Sequence, residues 1–296
     1  MPANRRLPLL ALATGIAVTG GLVGCGAPKK DTAATPDASG ATSSAAASCS
    51  PSSMGTVSKG KLTIATDNPA YGPWFSDNKP ENGKGYESAV GFAIAKNLGF
   101  TPANVSWIRV PFNNVVTPGA KKFDFDLNEV SINPERAKKV DFSTGYYDVT
   151  QAIVTNKGSK IAGAKSIADL KGAKLGAQVG TTSYTAIIDQ IKPGTTPAVF
   201  KTNDVAVQSL KSKQIDGIVV DLPTAFYAVA AQLDSGVIVG QLPSAGGKPE
   251  QFGAVLQKGS SLTQCVSRAV DAIRKDGTLT KLSEQWLTGQ GAPKLS

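Results

Sequence analysis

Arg136 sits in the run of residues 133–142, NPERAKKVDF, and is well suited to hold an anion. Its guanidinium is planar, stays charged near neutral pH and offers a fork of donors matched to a carboxylate, where a lysine would supply charge without the fork. An isolated helical Arg more often closes a surface salt bridge, so its surroundings decide the reading. Thr182 follows Gly180 at the start of an expected helix, where free backbone N–H groups favour an anion. Taken alone, Gly180-Thr181-Thr182-Ser183 also reads as an ordinary turn and cap. Asp67, Glu129 and Asp221 supply carboxylates for a cationic group, and Tyr71 and Trp74 supply ring faces for a side chain or a cation. The sequence contains no histidine. Ser-His-Asp and Cys-His nucleophiles and His-based metal sites are therefore excluded, and no cofactor or metal is implied. Carboxylate chemistry survives that exclusion.

These residues need strands and helices to position them. Strands are expected at residues 61–66 (KLTIAT), 106–110, 123–127, 151–155 (QAIVT), 175–179, 215–220 and 252–257 (FGAVLQ). Residues 85–100 place Val90, Ile94 and Leu98 on one helical face with Gly99 as the stop, a short helix opens at Ser166, and helices are expected over 262–276 and 279–287. Alternation of strands and helices gives an α/β class. Ligands of such sheets bind at the carboxyl ends of strands, where the candidate residues fall.

With its surroundings the Arg136 run reads KKFDFDLNEVSINPERAKKVDFSTGYYDV over residues 121–149, and this stretch resembles the signature of family 3 extracellular solute-binding proteins, capture subunits of polar amino-acid ABC importers. The resemblance extends from about Lys59 to Leu287. It implies a two-lobed type II periplasmic-binding-protein (venus-flytrap) fold with two interlobe crossing strands, QAIVT and FGAVLQ. Lobe 1 is then 59–153 with 256–296, and lobe 2 is 154–255. It also implies roles: Arg136 and Thr182 grip the ligand's α-carboxylate from opposite lobes with help from Ser131. Asp221 pairs with the α-ammonium, and Asp67, Tyr71 and Trp74 face the side-chain pocket, with ordinary packing on the lobe surface as the alternative for Trp74. The family's first-helix pattern has an aliphatic and an acid where this chain has Ser88 and Ala89. Many members have small residues or Asn-Gln where this chain has Asn128 and Glu129. With Asp221 and Asp67, Glu129 makes the pocket acid-rich, which favours a basic or amide-bearing side chain. The alternative is that Glu129 pairs with a lysine of the protein and sets no specificity.

Residues 1–24 read as a secretory signal: Arg5 and Arg6, an uncharged apolar run, then Leu22-Val23-Gly24-Cys25. By resemblance to bacterial lipoproteins, Cys25 becomes the acylated (palmitate-bearing) first residue, anchoring the chain at the extracytoplasmic face of the cell membrane. An uncleaved N-terminal anchor is the alternative. Residues 25–58 are mostly Ala, Ser, Thr, Pro and Gly and are expected to form a disordered tether. Cys49 and Cys265 remain; in an exported protein a disulfide is expected, with two free thiols as the alternative. Removing Arg5 and Arg6 from the 31 basic residues leaves 29 against 22 acidic ones, or +7. No dense basic run interleaved with aromatics argues for nucleic acid. The expected function is capture of an amino acid by a monomer and delivery to an ABC permease and its ATPase. Alternatives are a carboxylate-based dehydratase of prephenate-like acids, with Glu129 as general acid, and a ligand sensor domain.

Overall fold

The computed structural model describes residues 49–287 and 291–296. The signal, the lipobox cysteine Cys25 and most of the expected tether lie outside them. The elements run β1 (Leu62–Thr66), α1 (Tyr86–Asn97), β2 (Val105–Arg109), α2 (Phe112–Val115), β3 (Phe125–Asp126), α3 (Pro134–Ala137), β4 (Val140–Val149) and β5 (Gln151–Asn156). There follow β6 (Leu175–Gln178), α4 (Thr182–Ala186), β7 (Ala198–Phe200), α5 (Asn203–Lys211), β8 (Gly217–Asp221), α6 (Leu222–Tyr227), β9 (Gly236–Gln241), β10 (Glu250–Gln257), α7 (Thr263–Lys275) and α8 (Thr278–Trp286).

Two five-stranded mixed sheets result, in the orders β2-β1-β3-β10-β4 and β7-β6-β8-β5-β9. In each, three parallel strands are followed by two joined on through antiparallel pairings. Strand β1, LTIAT, is buried along its whole length, as a central strand covered on both faces must be. Helix α7 puts Cys265, Val266, Ala269, Val270 and Ile273 on its buried stripe. That stripe packs with α1 and α8 over the first sheet. The second sheet is filled on one side around Ile153, Leu175 and Val219 and on the other around Val154, Leu210 and Ile218. This is the two-lobed α/β type II fold.

The chain crosses between the lobes at Thr150, directly before β5, and between residues 241 and 250, directly before β10, so QAIVT and FGAVLQ carry it from the two crossings into the second and the first sheet. Three expectations need correction. The C-terminal residues, expected with lobe 1, lie against lobe 2. Leu295 is buried with Val239 and Leu242, its N–H bonds Gln241 O at 2.9 Å, and Lys294 bridges to Gln241. The apolar Leu295 finds its cover beside β9 and carries the tail with it. Residues of the described stretch 49–58, expected within the tether, are held against the first lobe. Cys49 is joined to Cys265, Met54 enters the first core, and Val57 N–H bonds the Asp124 carboxylate at 2.8 Å. The expected short helix at Ser166 is a single 3₁₀ turn, Ala168–Leu170. Among the described residues no helix is long and apolar enough to cross a membrane.

Candidate functional site

Local sequence builds the Arg136 position. Asn133 caps α3, its side chain accepting from Arg136 N at 2.8 Å, and Pro134 begins the helix where its missing N–H costs nothing. The side chain is thereby aimed inward and is only 8% exposed. Nη1 donates to Ser131 O at 2.7 Å and Nη2 to Gly180 O at 2.9 Å, while the guanidinium lies 5.3 Å from the Phe112 ring centroid. Ser131 and Phe112 belong to the first lobe and Gly180 to the second, so one side chain joins both lobes and keeps further N–H donors for a ligand. Gly180 is needed there: its φ is +75°, and an added Cβ would meet Asn113 Oδ1 at 2.6 Å.

Around Arg136 the lobes face each other through side chains at the carboxyl ends of β1, β3, β6 and β8. A small cleft is lined by Asp67, Tyr71, Glu129, Arg136, Thr182 and Asp221, together with Phe112, Asn128, Gln178, Ser183 and Asn203. Gln151, the first residue of β5, ties the far wall together. Its amide N–H bonds Asp221 Oδ1 at 2.7 Å, and its carbonyl accepts from Ser183 Oγ at 2.6 Å. A second chain crosses the lobes: Ser131 Oγ donates to Glu250 Oε2 at 2.8 Å and lies 3.3 Å from Thr182 Oγ1. A third does so as well, with Trp74 Nε1–H donating to Thr224 Oγ1 and Thr224 donating to Glu129 Oε2, each at 2.8 Å.

The sequence from residue 62 to 289 matches the family described as bacterial extracellular solute-binding proteins, family 3. The chain belongs to this family. It is 30% identical over 251 residues to the arginine-binding extracellular protein of Bacillus subtilis (strain 168), covering 82% of this chain and 92% of that one. It is 29% identical over 231 residues to the L-cystine-binding protein of Escherichia coli (strain K12), covering 77% and 83%. A solved structure of an ancestral arginine-binding protein bound to glutamine superposes with a TM-score of 0.66 at 32% identity, over 78% of this chain and all of that one. These relatives are named as binding proteins.

Two residues of this solute-binding protein are not placed as the sequence implies. Trp74, expected to face the side-chain pocket, is fully buried, with its ring edge-on to Tyr86, Tyr147 and Phe252 at 5.4–6.0 Å. Three neighbouring rings cover the indole completely, and its one polar atom finds Thr224. Ser131 is 2% exposed and does not line the cleft; its carbonyl and hydroxyl hold Arg136, Glu250 and Thr182 instead. Sequence reading missed Gln151, Thr224, Glu250 and Glu87 as parts of the site. Only Gln151 had a local signal, a polar residue opening an otherwise apolar strand.

Electrostatically the solute-binding protein concentrates buried acid here. Burial raises the Asp221 carboxyl to about 8, with Glu250 adding to the rise, against the Gln151 hydrogen bond and Arg136, which lower it. Burial likewise holds Glu129 well above the usual range, reinforced by Glu87 and Asp221. Asp67 is raised by burial against the Asn68 N–H, which bonds its Oδ1 at 2.7 Å. Arg136 is pulled down by burial, with Glu250 and Asp221 opposing. Among the described residues the carboxyl groups of the cleft close no salt bridge, and the cations beside them are Arg136 and, near Asp67, Arg109.

Proposed function

We propose that this protein captures a polar L-amino acid with a basic or amide-bearing side chain at the extracytoplasmic face of the membrane, held there by lipid on Cys25. Working as a monomer, it delivers that ligand to an ABC permease and its ATPase. The observation that carries the reading is Arg136, a buried guanidinium bridging both lobes, with the Asp221 carboxyl on the opposite wall of one small cleft. A zwitterion needs that pairing of opposite charges. Arg136 and the α4 start at Thr182 take the α-carboxylate, and Asp221 takes the α-ammonium. Each such charge-assisted hydrogen bond contributes about 1.5–3 kcal/mol. Asp67, Tyr71 and Glu129 surround the side chain, and their acidity disfavours an acidic ligand. Ser131 orients Arg136, and Trp74 acts behind the wall. Closure has a physical cause in this reading, because the full set of contacts exists only with the lobes together. The named ligands of the relatives, arginine and cystine, support a polar amino acid as the class.

Calorimetric titration of the full chain with the twenty amino acids, ornithine, citrulline and cystine tests this. One basic or amide-bearing ligand should bind tightly, and Arg136→Ala should abolish the binding. A tight complex with glutamate or aspartate would refute the charge argument. If the folded protein binds none of them, capture of a zwitterion fails, and turnover of prephenate tests the dehydratase alternative.

A further inference from the structure

Behind the cleft lies a group of acids that zwitterion capture does not use. Glu87, on α1, is fully buried; its Oε1 accepts the Glu129 N–H at 2.7 Å and the Tyr146 hydroxyl, and its Oε2 has no partner among the described residues. Asp126, on β3, is equally buried, and neither of its oxygens has a partner there. Its strand neighbours are Ala65 and Val255, which offer it no side-chain donor. Asn128 stands between this group and the cleft. It is 7% exposed and lines the cleft, and its amide nitrogen is also without a partner among the described residues. Glu129 completes the group, with φ of +53° and its Oε2 taking the Thr224 hydroxyl.

The charges facing these groups do not neutralise them. Asp126 faces Glu87 and Asp67, and among the described residues Lys121 is the cation near it. Lys121 already donates to Asn114 O at 2.9 Å and Thr117 O at 2.6 Å. Glu129 faces Glu87, Asp221 and Asp67. Arg109 stands near Asp67, to whose backbone carbonyl it donates at 2.7 Å, and Arg136 lies near Glu250 and Asp221. On the far side of Glu87 are Tyr146 and Tyr86. Several carboxylates cannot all ionise in one dry space: a buried like-charged pair keeps a proton.

We propose, building on the capture reading, that the buried group of Glu87, Asp126 and Glu129 retains protons at neutral pH and that a cationic ligand side chain drives a proton from this group into solvent. An amide side chain does not, so the site takes cationic amino acids in preference to amides, and the preference grows with pH. The balance is simple: the incoming cation replaces the positive charge of the departing proton beside the same carboxylate. Each proton released strengthens binding up to about tenfold per pH unit below the group's titration point.

Three measurements on the full chain test this. The first titrates L-arginine and L-glutamine in phosphate and in Tris at matched pH and ionic strength. Arginine should release about one proton more than glutamine, seen as a heat that depends on the buffer, because the α-ammonium common to both displaces the Asp221 proton equally. Second, Asp126→Asn and Glu87→Gln, both nearly isosteric, should reduce that release. Third, infrared spectra of the ligand-free chain at neutral pH should show the carbonyl stretch of a protonated carboxyl, weakened in Asp126→Asn. If arginine binds with the same heat in both buffers, or both ligands release equal protons, the inference is overturned while capture stands. If neither ligand binds, capture and cation preference fall together. Absence of the infrared band overturns the retained protons whatever binds.

Discussion

Thr224→Val tests whether the lobes are latched by the Trp74–Thr224–Glu129 chain. The substitution keeps the side chain's shape and removes one hydroxyl. In the closed structure that hydroxyl accepts the Trp74 Nε1–H from one residue of the first lobe and donates to the Glu129 carboxyl of another, both at 2.8 Å. Trp74 is fully buried, so the variant leaves its N–H without an acceptor. Leaving a buried donor unsatisfied costs about 1–3 kcal/mol. With the lobes apart, water reaches the same N–H, so the penalty falls on the closed form alone. At about 1.4 kcal/mol per factor of ten, ligand affinity should weaken roughly 5- to 140-fold. Calorimetry with the amino acid identified by titration reads the Kd, and tryptophan fluorescence follows closure. Thr224→Ser, which keeps the hydroxyl, should stay within about twofold of the parent on the same scale. A Thr224→Val affinity within that margin would refute the latch.

Gly180→Ala should lower Tm, because φ of +75° costs an L-residue about 1–2 kcal/mol, whereas Asn113 Oδ1, met at 2.6 Å, ends an exposed side chain that can turn aside; an unchanged Tm would remove this backbone constraint from the account. Stability without ligand should fall as pH rises. Folding raises the carboxyl of Glu87 to about 7 and that of Asp221 to about 8, so between about pH 4 and those values the folded chain holds protons that the unfolded chain has released. Each such group costs up to about 1.4 kcal/mol per pH unit, and Asp221→Asn should flatten the decline in Tm between about pH 5 and 8 while losing ligand; parallel Tm curves for variant and parent would contradict this. Replacing both Cys49 and Cys265 by Ala opens a cross-link spanning 216 residues, which on chain-entropy grounds removes at most about 5 kcal/mol of stability. It should lower Tm and leave the Kd unchanged, since the link lies on α7 away from the cleft; a changed Kd would mean that the link helps shape the site.

What the sequence could show depended on whether the signal was local. The helix start after Gly180 and the strand that ends at Asp221 are written within a few residues each, whereas the choice of Arg136, Thr182 and Asp221 as ligand contacts came from the resemblance to the solute-binding family. QAIVT and FGAVLQ mark the two places where the chain changes lobes, while the points themselves, Thr150 and the segment between β9 and β10, carry no sign in the apolar pattern. Trp74 was less legible. An aromatic near a cleft stacks on the ligand or fills the wall, and the choice rests on Tyr86, Tyr147 and Phe252, which are distant in sequence.

Glu87 shows how a site can extend beyond the residues that touch a ligand. Its carboxyl holds the backbone of Glu129 through one 2.7 Å hydrogen bond, at the residue whose φ is +53°. A non-glycine residue persists there only when its surroundings over-determine it. Glu129 in turn reaches Thr224 in the other lobe. The buried acid on α1 therefore fixes the direction of an acid in the cleft and, through it, the fit between the lobes. Closure, ligand charge and protonation of the first core are linked by the same few atoms.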